Sequence, residues 1–172
     1  MTDGGAEAAL RIAEISLDEH SVIRRSPEIE RERAGAIADL VHANHFAPES
    51  GLDGPYRLHL AISENRLAME IASLTNDRQE TVVLPLRPFG RLIKDYFLVC
   101  ESYAKAVQNS NLAQVEAIDM GRRGLHDEGA QLLIDTLAGK VAIDHATARR
   151  LFTLICVLHL KASAHGLGGH PS

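Results

Sequence analysis

Asp119, Arg122, Arg123 and His126 stand together in the run Glu116-Ala117-Ile118-Asp119-Met120-Gly121-Arg122-Arg123-Gly124-Leu125-His126-Asp127-Glu128-Gly129. Planar guanidinium forks match carboxylate and phosphate oxygens two at a time. An imidazole titrates near neutrality, which suits proton transfer. The chemistry within reach is anion recognition, with acid–base catalysis as its extension. The same residues also have a purely structural use. An arginine at the margin of an apolar stripe needs a counter-ion, since stranding a buried charge costs about 3–5 kcal/mol, and Asp119 sits one helical turn before Arg122. The structural use is the first expectation, ligand binding the second and catalysis the third.

Two backbone forms are open to this run. As a continuous helix, at about 100° per residue, it aligns Ile118, Leu125 and Leu132 in one apolar line. Arg122 then lies beside that line, Asp119 and His126 lie next to Arg122, and Arg123 points further toward solvent. As a broken helix it turns at Gly121 and Gly124, each of which costs about 1 kcal/mol in a helix interior relative to alanine. The Gly-Arg-Arg-Gly loop then aims backbone N–H groups and both guanidinium forks at one spot, a geometry for phosphate or carboxylate. The continuous form is preferred.

Arg149 and Arg150 form a second arginine pair near the start of the last predicted helix. Neighbouring helical residues project about 100° apart, so at most one of them faces the core. A solvated or helix-pairing role is preferred to a shared anion with Arg122. Asp119, Arg122, Arg123, His126, Arg149 and Arg150 are together the candidate ligand-binding residues. His159, alone in an apolar helix, reads as a hydrogen-bonded core residue. His42 and His45 are three apart at a helix end with no third ligand in view, so no metal site is assigned. Lys94-Asp95-Tyr96 and Glu101-Ser102-Tyr103 are acid–base groups by type alone, with Tyr96 reading as core. Cys100 and Cys156 fall in apolar helical segments and read as reduced, buried thiols. His165 and His170 read as bystanders. Nucleophile-elbow, phosphate-loop, dinucleotide-glycine and zinc-finger patterns are missing. No cofactor is therefore assigned, no catalytic residue is named, and an enzymatic role is the less favoured one.

The elements that must hold these groups follow from periodicity. Ala13, Ile15 and Leu17 alternate with Glu14, Ser16 and Asp18 as a short half-buried strand. Ser26-Pro27-Glu28 reads as cap hydroxyl, first-turn proline and first-turn acid. The helix that follows places Ile29, Ile37, Leu40 and Val41 on one stripe, pairs Glu28 with Arg31 and Glu30 with Arg33, and stops near Asn44. Pro48, Gly51, Gly54 and Pro55 mark a loop. Alternating segments at residues 56–62, 67–71 and 82–84, with turns at 63–66 and 75–78, predict an antiparallel meander. The strand near residue 12 is expected to add to its edge. Pro85 and Pro88 close the sheet. Phe89, Ile93, Phe97, Cys100, Ala104 and Val107 recur at helical spacing. A further helix runs from near Asn111 toward Gly139, and the last begins after Asp144, its cap, and runs to about Leu160. Leu151, Phe152, Leu154, Ile155, Val157, Leu158 and Leu160 surround its axis, so it is buried on most sides.

A chain of 172 residues, 45% apolar with only 4% aromatic, favours one domain with an aliphatic core. Residues 10–162 are assigned to that domain, 1–9 to a disordered start and 163–172 to a disordered tail. The formal net charge of −5 and scattered lysines count against a nucleic-acid footprint. The sequence has no apolar run of membrane-spanning length and no secretory leader, so the protein is expected in the cytoplasm.

The runs Gly54-Pro55-Tyr56-Arg57-Leu58-His59-Leu60, Ile93-Lys94-Asp95-Tyr96-Phe97, Ala117-Ile118-Asp119-Met120-Gly121-Arg122-Arg123-Gly124-Leu125-His126 and Thr147-Ala148-Arg149-Arg150-Leu151-Phe152-Thr153-Leu154-Ile155-Cys156 together resemble a bacterial group, Uncharacterised Protein Family 0262, over roughly residues 10–160. The resemblance implies a bacterial cytoplasmic protein and carries over no activity, cofactor or catalytic residue. His126-Asp127 departs from the His-Asn of the group. That acid changes the charge of the cluster if residue 127 packs inside, and hardly matters if it is exposed.

The fold expected is α+β: a small antiparallel sheet of three to four strands covered on one face by about four helices, the last of them central. The function expected first is a cytoplasmic interaction or regulatory module, with a homo-oligomer or protein partner covering the apolar last helix. The alternative is binding of a small anionic molecule, or phosphate chemistry on it, at the six candidate residues with His126 as acid–base.

Overall fold

The computed structural model describes residues 9–19 and 27–168, with side chains as far as Leu160. The expected cap at Ser26, the expected disorder over residues 1–8, and residues 169–172 lie outside the described residues. The elements follow in the order β1 (Ile12–Leu17), α1 (Pro27–His42), β2 (Phe46–Pro48), β3 (Tyr56–Ser63), β4 (Arg66–Ser73), β5 (Gln79–Pro85), a 3-10 turn (Arg87–Phe89), α2 (Gly90–Gln108), α3 (Leu112–Leu137), β6 (Val141–Ile143) and α4 (His145–Gly168).

Period-two alternation builds the main sheet, whose order is β1-β3-β4-β5. β3, β4 and β5 form the expected antiparallel meander, with Leu58 opposite Ile71 and Met69 opposite Val82. Glu64 and Asn65 take φ of 52° and 59°, the left-handed backbone that closes a two-residue hairpin with the right twist. β1 joins the edge as expected, but it runs parallel to β3, so the sheet is mixed. Tyr56, Leu58, Leu60, Leu67, Met69, Ile71 and Leu84 are buried on the inward face. Glu14, Arg57, Glu70 and Thr81 stand exposed on the other. The fold is thus α+β, with the helices packed over the apolar face of the sheet.

The stretch expected to be a loop after residue 44 contains β2, which pairs antiparallel with β6: Phe46 faces Ile143 and Pro48 faces Val141. Three residues that include a proline carry no readable alternation, and the partner strand is distant in sequence. α1 also turns slightly from its expected stripe. Ile29, Ala36 and Leu40 are buried, whereas Val41 is 37% exposed. Glu28 pairs with Arg31 (3.6 Å) as expected, and Arg33 reaches Glu19 (2.7 Å). Asn111 caps α3 by accepting from the Gln114 N–H, and Asp144 caps α4 by accepting from the Thr147 N–H.

α4 is the central helix. Leu151, Phe152, Leu154, Ile155, Val157 and Leu158 are all buried by the chain itself, between α1, α3 and β3. Over this stretch the helix does not need a second copy to cover it, which removes the argument made for an oligomer. The helical backbone continues to Gly168, past the end expected near Leu160 and into the stretch expected to be disordered. Lysine and alanine favour helix there, and proline is first met at Pro171.

Candidate functional site

α3 is unbroken from Leu112 to Leu137, so the continuous form holds. A Cβ added at Gly121 or Gly124 would meet nothing within 4 Å, but one at Gly129 would sit 2.6 Å from the Phe152 ring. Gly129 therefore lets Phe152 of α4 press against α3. The same ring stands edge-on to His126, with centroids 6.0 Å apart. His126 lies on the buried stripe with Leu125, Gly129, Ala130 and Leu133.

This close approach leaves a concave joint where α1 faces α3 and α4. All six candidate residues line that cleft, which has a volume of about 880 Å³. α3 contributes Asp119, Arg122, Arg123 and His126, and α4 contributes Arg149 and Arg150. The opposite wall, on α1, carries Glu32 and Asp39 with the small Gly35 and Ala36 between them.

Arg122 is the most connected of these side chains. Its Nη2 donates to Asp119 Oδ1 (3.0 Å) and its Nη1 to Glu32 Oε1 (3.3 Å). Its guanidinium also lies over the Tyr103 ring, 5.1 Å from the centroid, a cation–π contact. Burial works against the charge, but Glu32 and Asp119 outweigh it and raise the pKa above the ordinary arginine value. Arg123 is 71% exposed and shares Asp119 at 3.0 Å. Tyr96 donates to the same Glu32 oxygen (3.3 Å), and its pKa is pushed up, first by burial. Tyr96 belongs to the core, as expected.

His126 is almost sealed. Its Nδ1 stands 2.8 Å from the Arg122 carbonyl, which can only accept, so Nδ1 carries the hydrogen. Its Nε2 stands 3.1 Å from Thr153 Oγ1. Burial lowers its pKa, Arg149 and Arg122 add to that, and the Arg122 carbonyl and Glu32 oppose it. The ring is consequently neutral at pH 7.

On the α4 side, Arg149 donates to Asp127 Oδ1 (2.8 Å), which also meets His145 Nε2 at 3.1 Å. Asp127 is exposed, and its pKa is lowered chiefly by the His145 hydrogen bond and then by Arg149. The acid at position 127 therefore tunes the rim of the cleft rather than its interior. Arg150 donates to the Ala146 carbonyl (3.1 Å) and has Asp39 only at 3.9 Å. Its Nε is buried without an acceptor among the described residues. Both arginines are half-buried and line the cleft, and neither is part of the buried core. α4 packs against both α1 and α3, which gives it two partly buried flanks.

The remaining expectations fall elsewhere. Asp95 pairs with Arg91 and Glu101 with Lys105, both on the exposed side of α2. The His45 backbone N–H donates to Thr147 Oγ1 (2.9 Å), which ties the end of α1 to α4. Among the described residues no three His, Cys, Asp or Glu side chains cluster closely enough to hold a metal ion. Cys100 and Cys156 are free and buried. Burial pushes the Cys100 thiol up to about 11. His159 is half-buried, and its pKa is lowered by that burial.

A family model described as Uncharacterised protein family (UPF0262) matches residues 9–161. The chain belongs to this family. A UPF0262 protein of Rhodospirillum rubrum is 52% identical over 161 residues, covering 94% of this chain and 99% of that one. Similar UPF0262 proteins occur in Rhodopseudomonas palustris, 53% identical with 88% of this chain and 93% of the relative covered, and in Nitrobacter winogradskyi, 52% identical with 90% and 92% covered. No solved structure matches the chain. The family assignment agrees with the resemblance carried by the four sequence runs. It spans α1, α3 and α4, the three helices that form the cleft. Among the described residues no helix is long and apolar enough to cross a membrane.

Reading the sequence missed the acidic wall. Glu32 and Asp39 are seven residues apart, two helical turns, and so share a face. Gly35 and Ala36 between them mark that face as one with room beside it. Thr153 was missed because it sits among seven apolar residues of α4, and nothing local marks its hydroxyl as the partner of His126.

Proposed function

We propose that this protein binds a small, multiply charged oxyanion, a phosphate or carboxylate compound, in the cleft between α1, α3 and α4. The observation that carries this reading is the convergence of Arg122, Arg123, Arg149 and Arg150 on one concave space. Four guanidinium groups face three lining carboxylates, Glu32, Asp39 and Asp119, and Asp127 on the rim balances the fourth through Arg149, so an anion binds here by displacing an acid rather than by filling a charge surplus. Among the described residues no Phe, Tyr or Trp lines the cleft, which favours an aliphatic anion over a nucleotide. Arg149 and Arg150 are the gripping pair. Their counter-ions, Asp127 and Asp39, are exposed and weakly held, so a ligand oxygen can replace them. Arg122 is anchored by two acids and sets the shape of the site.

The test is a thermal-shift and calorimetric titration with inorganic phosphate, sulfate and citrate. The wild type is expected to be stabilised by at least one of them, as mass action requires of any ligand that binds only the folded state. The double variant Arg149→Gln/Arg150→Gln is expected to lose that response while keeping its fold. A wild type indifferent to all three anions overturns the reading.

A second reading, a surface for protein contact, rests on Leu112 (77% exposed) and Met120 (72%) on α3, and Leu98 (52%) and Val107 (51%) on α2. Light scattering over a wide concentration range tests self-association there. A monomer throughout argues against it.

A further inference from the structure

This inference rests on the anion-binding reading above and concerns how that site is governed. We propose that the cleft takes up its oxyanion together with a proton, held on the His126 imidazole, so that acid tightens binding. The hydrogen bonds around the ring already accommodate both charge states. Nδ1 faces the Arg122 carbonyl at 2.8 Å, an acceptor that is served equally by the neutral and the protonated ring. Nε2 faces Thr153 Oγ1 at 3.1 Å, and the same hydroxyl lies 3.2 Å from the Arg149 carbonyl. A hydroxyl has one hydrogen to give. With a neutral ring it donates to Nε2. With an imidazolium, Nε2–H donates to Oγ1 and the hydroxyl hydrogen turns to the Arg149 carbonyl. Each state is fully bonded, and the change requires no movement of heavy atoms.

Burial favours the neutral ring, and the charges facing it shift that balance. From α1 comes Glu32, which favours the imidazolium; from α4 comes Arg149, which opposes it; on its own helix Arg122 opposes it as well. α2 contributes Tyr96, an uncharged ring edge-on with its centroid at 5.6 Å. Asp127, next in the chain, is exposed at the rim. Two of the opposing influences are thus the cleft arginines themselves. An oxyanion bound to Arg149 and Arg150 cancels the repulsion of Arg149, while Arg122 keeps its own acids, Glu32 and Asp119, so the imidazolium gains in the complex. Linkage is reciprocal, and protonating His126 therefore strengthens anion binding by the same factor. His126 acts here as a positioning and charge-setting residue: its Nδ1–H donates to the Arg122 carbonyl, and on protonation it frees the Thr153 hydroxyl to donate to the Arg149 carbonyl on α4.

Sulfate is the probe, because it stays doubly ionised while histidine titrates. Its affinity for the full chain is measured by calorimetry between about pH 5 and 8, together with the NMR titration of the His126 ring proton with and without sulfate. Sulfate is expected to move the His126 midpoint upward. Affinity is expected to rise as pH falls, by up to about tenfold per pH unit for one linked proton, and this slope is expected to flatten in His126→Gln. If that variant does not fold, the wild-type NMR titration decides alone. The His145 resonance, followed in the same spectra, separates uptake at the rim from uptake at His126. A midpoint that moves at His145 and not at His126 overturns the proposal. Sulfate binding that requires Arg149 and Arg150 yet leaves His126 unmoved overturns the proton coupling and leaves the cleft reading standing. No sulfate binding at any pH overturns the proton coupling, and the cleft reading falls with it if phosphate and citrate are also without effect.

Discussion

Charged side chains meet in two regions of this molecule, and they meet for different reasons. On the outward face of the sheet, Glu14 pairs with Arg57 (2.7 Å), and Ser16 pairs with His59 (2.7 Å), with Glu70 a further 4.0 Å away. These are register neighbours: Glu14 opposite Arg57, Ser16 opposite His59, His59 opposite Glu70. Strand pairing sets such side chains side by side on any sheet, so the row has no further cause, and it lies flat in solvent. In the cleft the partners come from three helices. Arg122, Asp119 and Glu32 are only about a quarter exposed (28%, 26% and 26%); Asp119 meets Arg122 as a helical i,i+3 neighbour, but no local rule brings Glu32 to them. A serine, a histidine and an acid in a row on an open sheet are a consequence of the ladder. Arginines gathered in a concave joint are a consequence of tertiary packing, and that is the setting in which charges act on a ligand and on one another.

Mutations can break or sharpen this contrast. The largest effect is expected from Phe152→Ala, which removes the ring wedged against Gly129, His126 and Tyr96. A loss of about 3–5 kcal/mol in urea unfolding is expected for an aromatic truncation in the core, with loss of anion response. Arg122→Leu comes next, at about 1–3 kcal/mol. This is less than a fully stranded buried charge would cost, because Asp119 keeps Arg123 and Glu32 keeps the Tyr96 hydroxyl. A negligible loss would place Arg122 with the solvent-exposed charges and erase the distinction between the regions.

A pH effect of intermediate size follows from His126. Its pKa lies below the ordinary 6.5, with burial the main cause. The unfolded chain therefore takes up the proton first. Stability is expected to fall as pH drops from 6.5 toward the lowered folded midpoint, with no further loss from this source below it. His126→Gln is expected to remove part of that fall, and the remainder is expected to persist because burial lowers His159 in the same direction. The smallest effect is expected from Arg57→Ala on the sheet face, within about 1 kcal/mol by urea unfolding. A larger loss would mean that the ladder charges are coupled after all.

Much of the frame was legible from the sequence. Strict alternation marked β3, β4 and β5, and Asp144, read as a cap, marked the start of α4, because these signals are local. β2 and β6 were not legible, since each is short and defined only by the other. The parallel direction of β1 was hidden for a similar reason: alternation reports a strand and says nothing of its direction. At the site, the cluster from Asp119 to His126 was visible as polar residues inside a helical pattern, and Arg149-Arg150 as a second pair. The sequence could not show that both pairs line one cleft, or that Glu32 and Asp39 form its far wall. That depends on how three helices cross, and the crossing is set in part by Gly129, a residue whose importance lies in the side chain it lacks.

The most direct measurement follows the arginine Nε–H signals of the wild-type chain by NMR as sulfate is added. Signals from Arg122, Arg149 and Arg150 are expected to shift together and saturate, while those from Arg57 on the sheet and Arg91 on α2 stay in place. Shifts spread without saturation over all five arginines, or absent from the three in the cleft, would contradict the account.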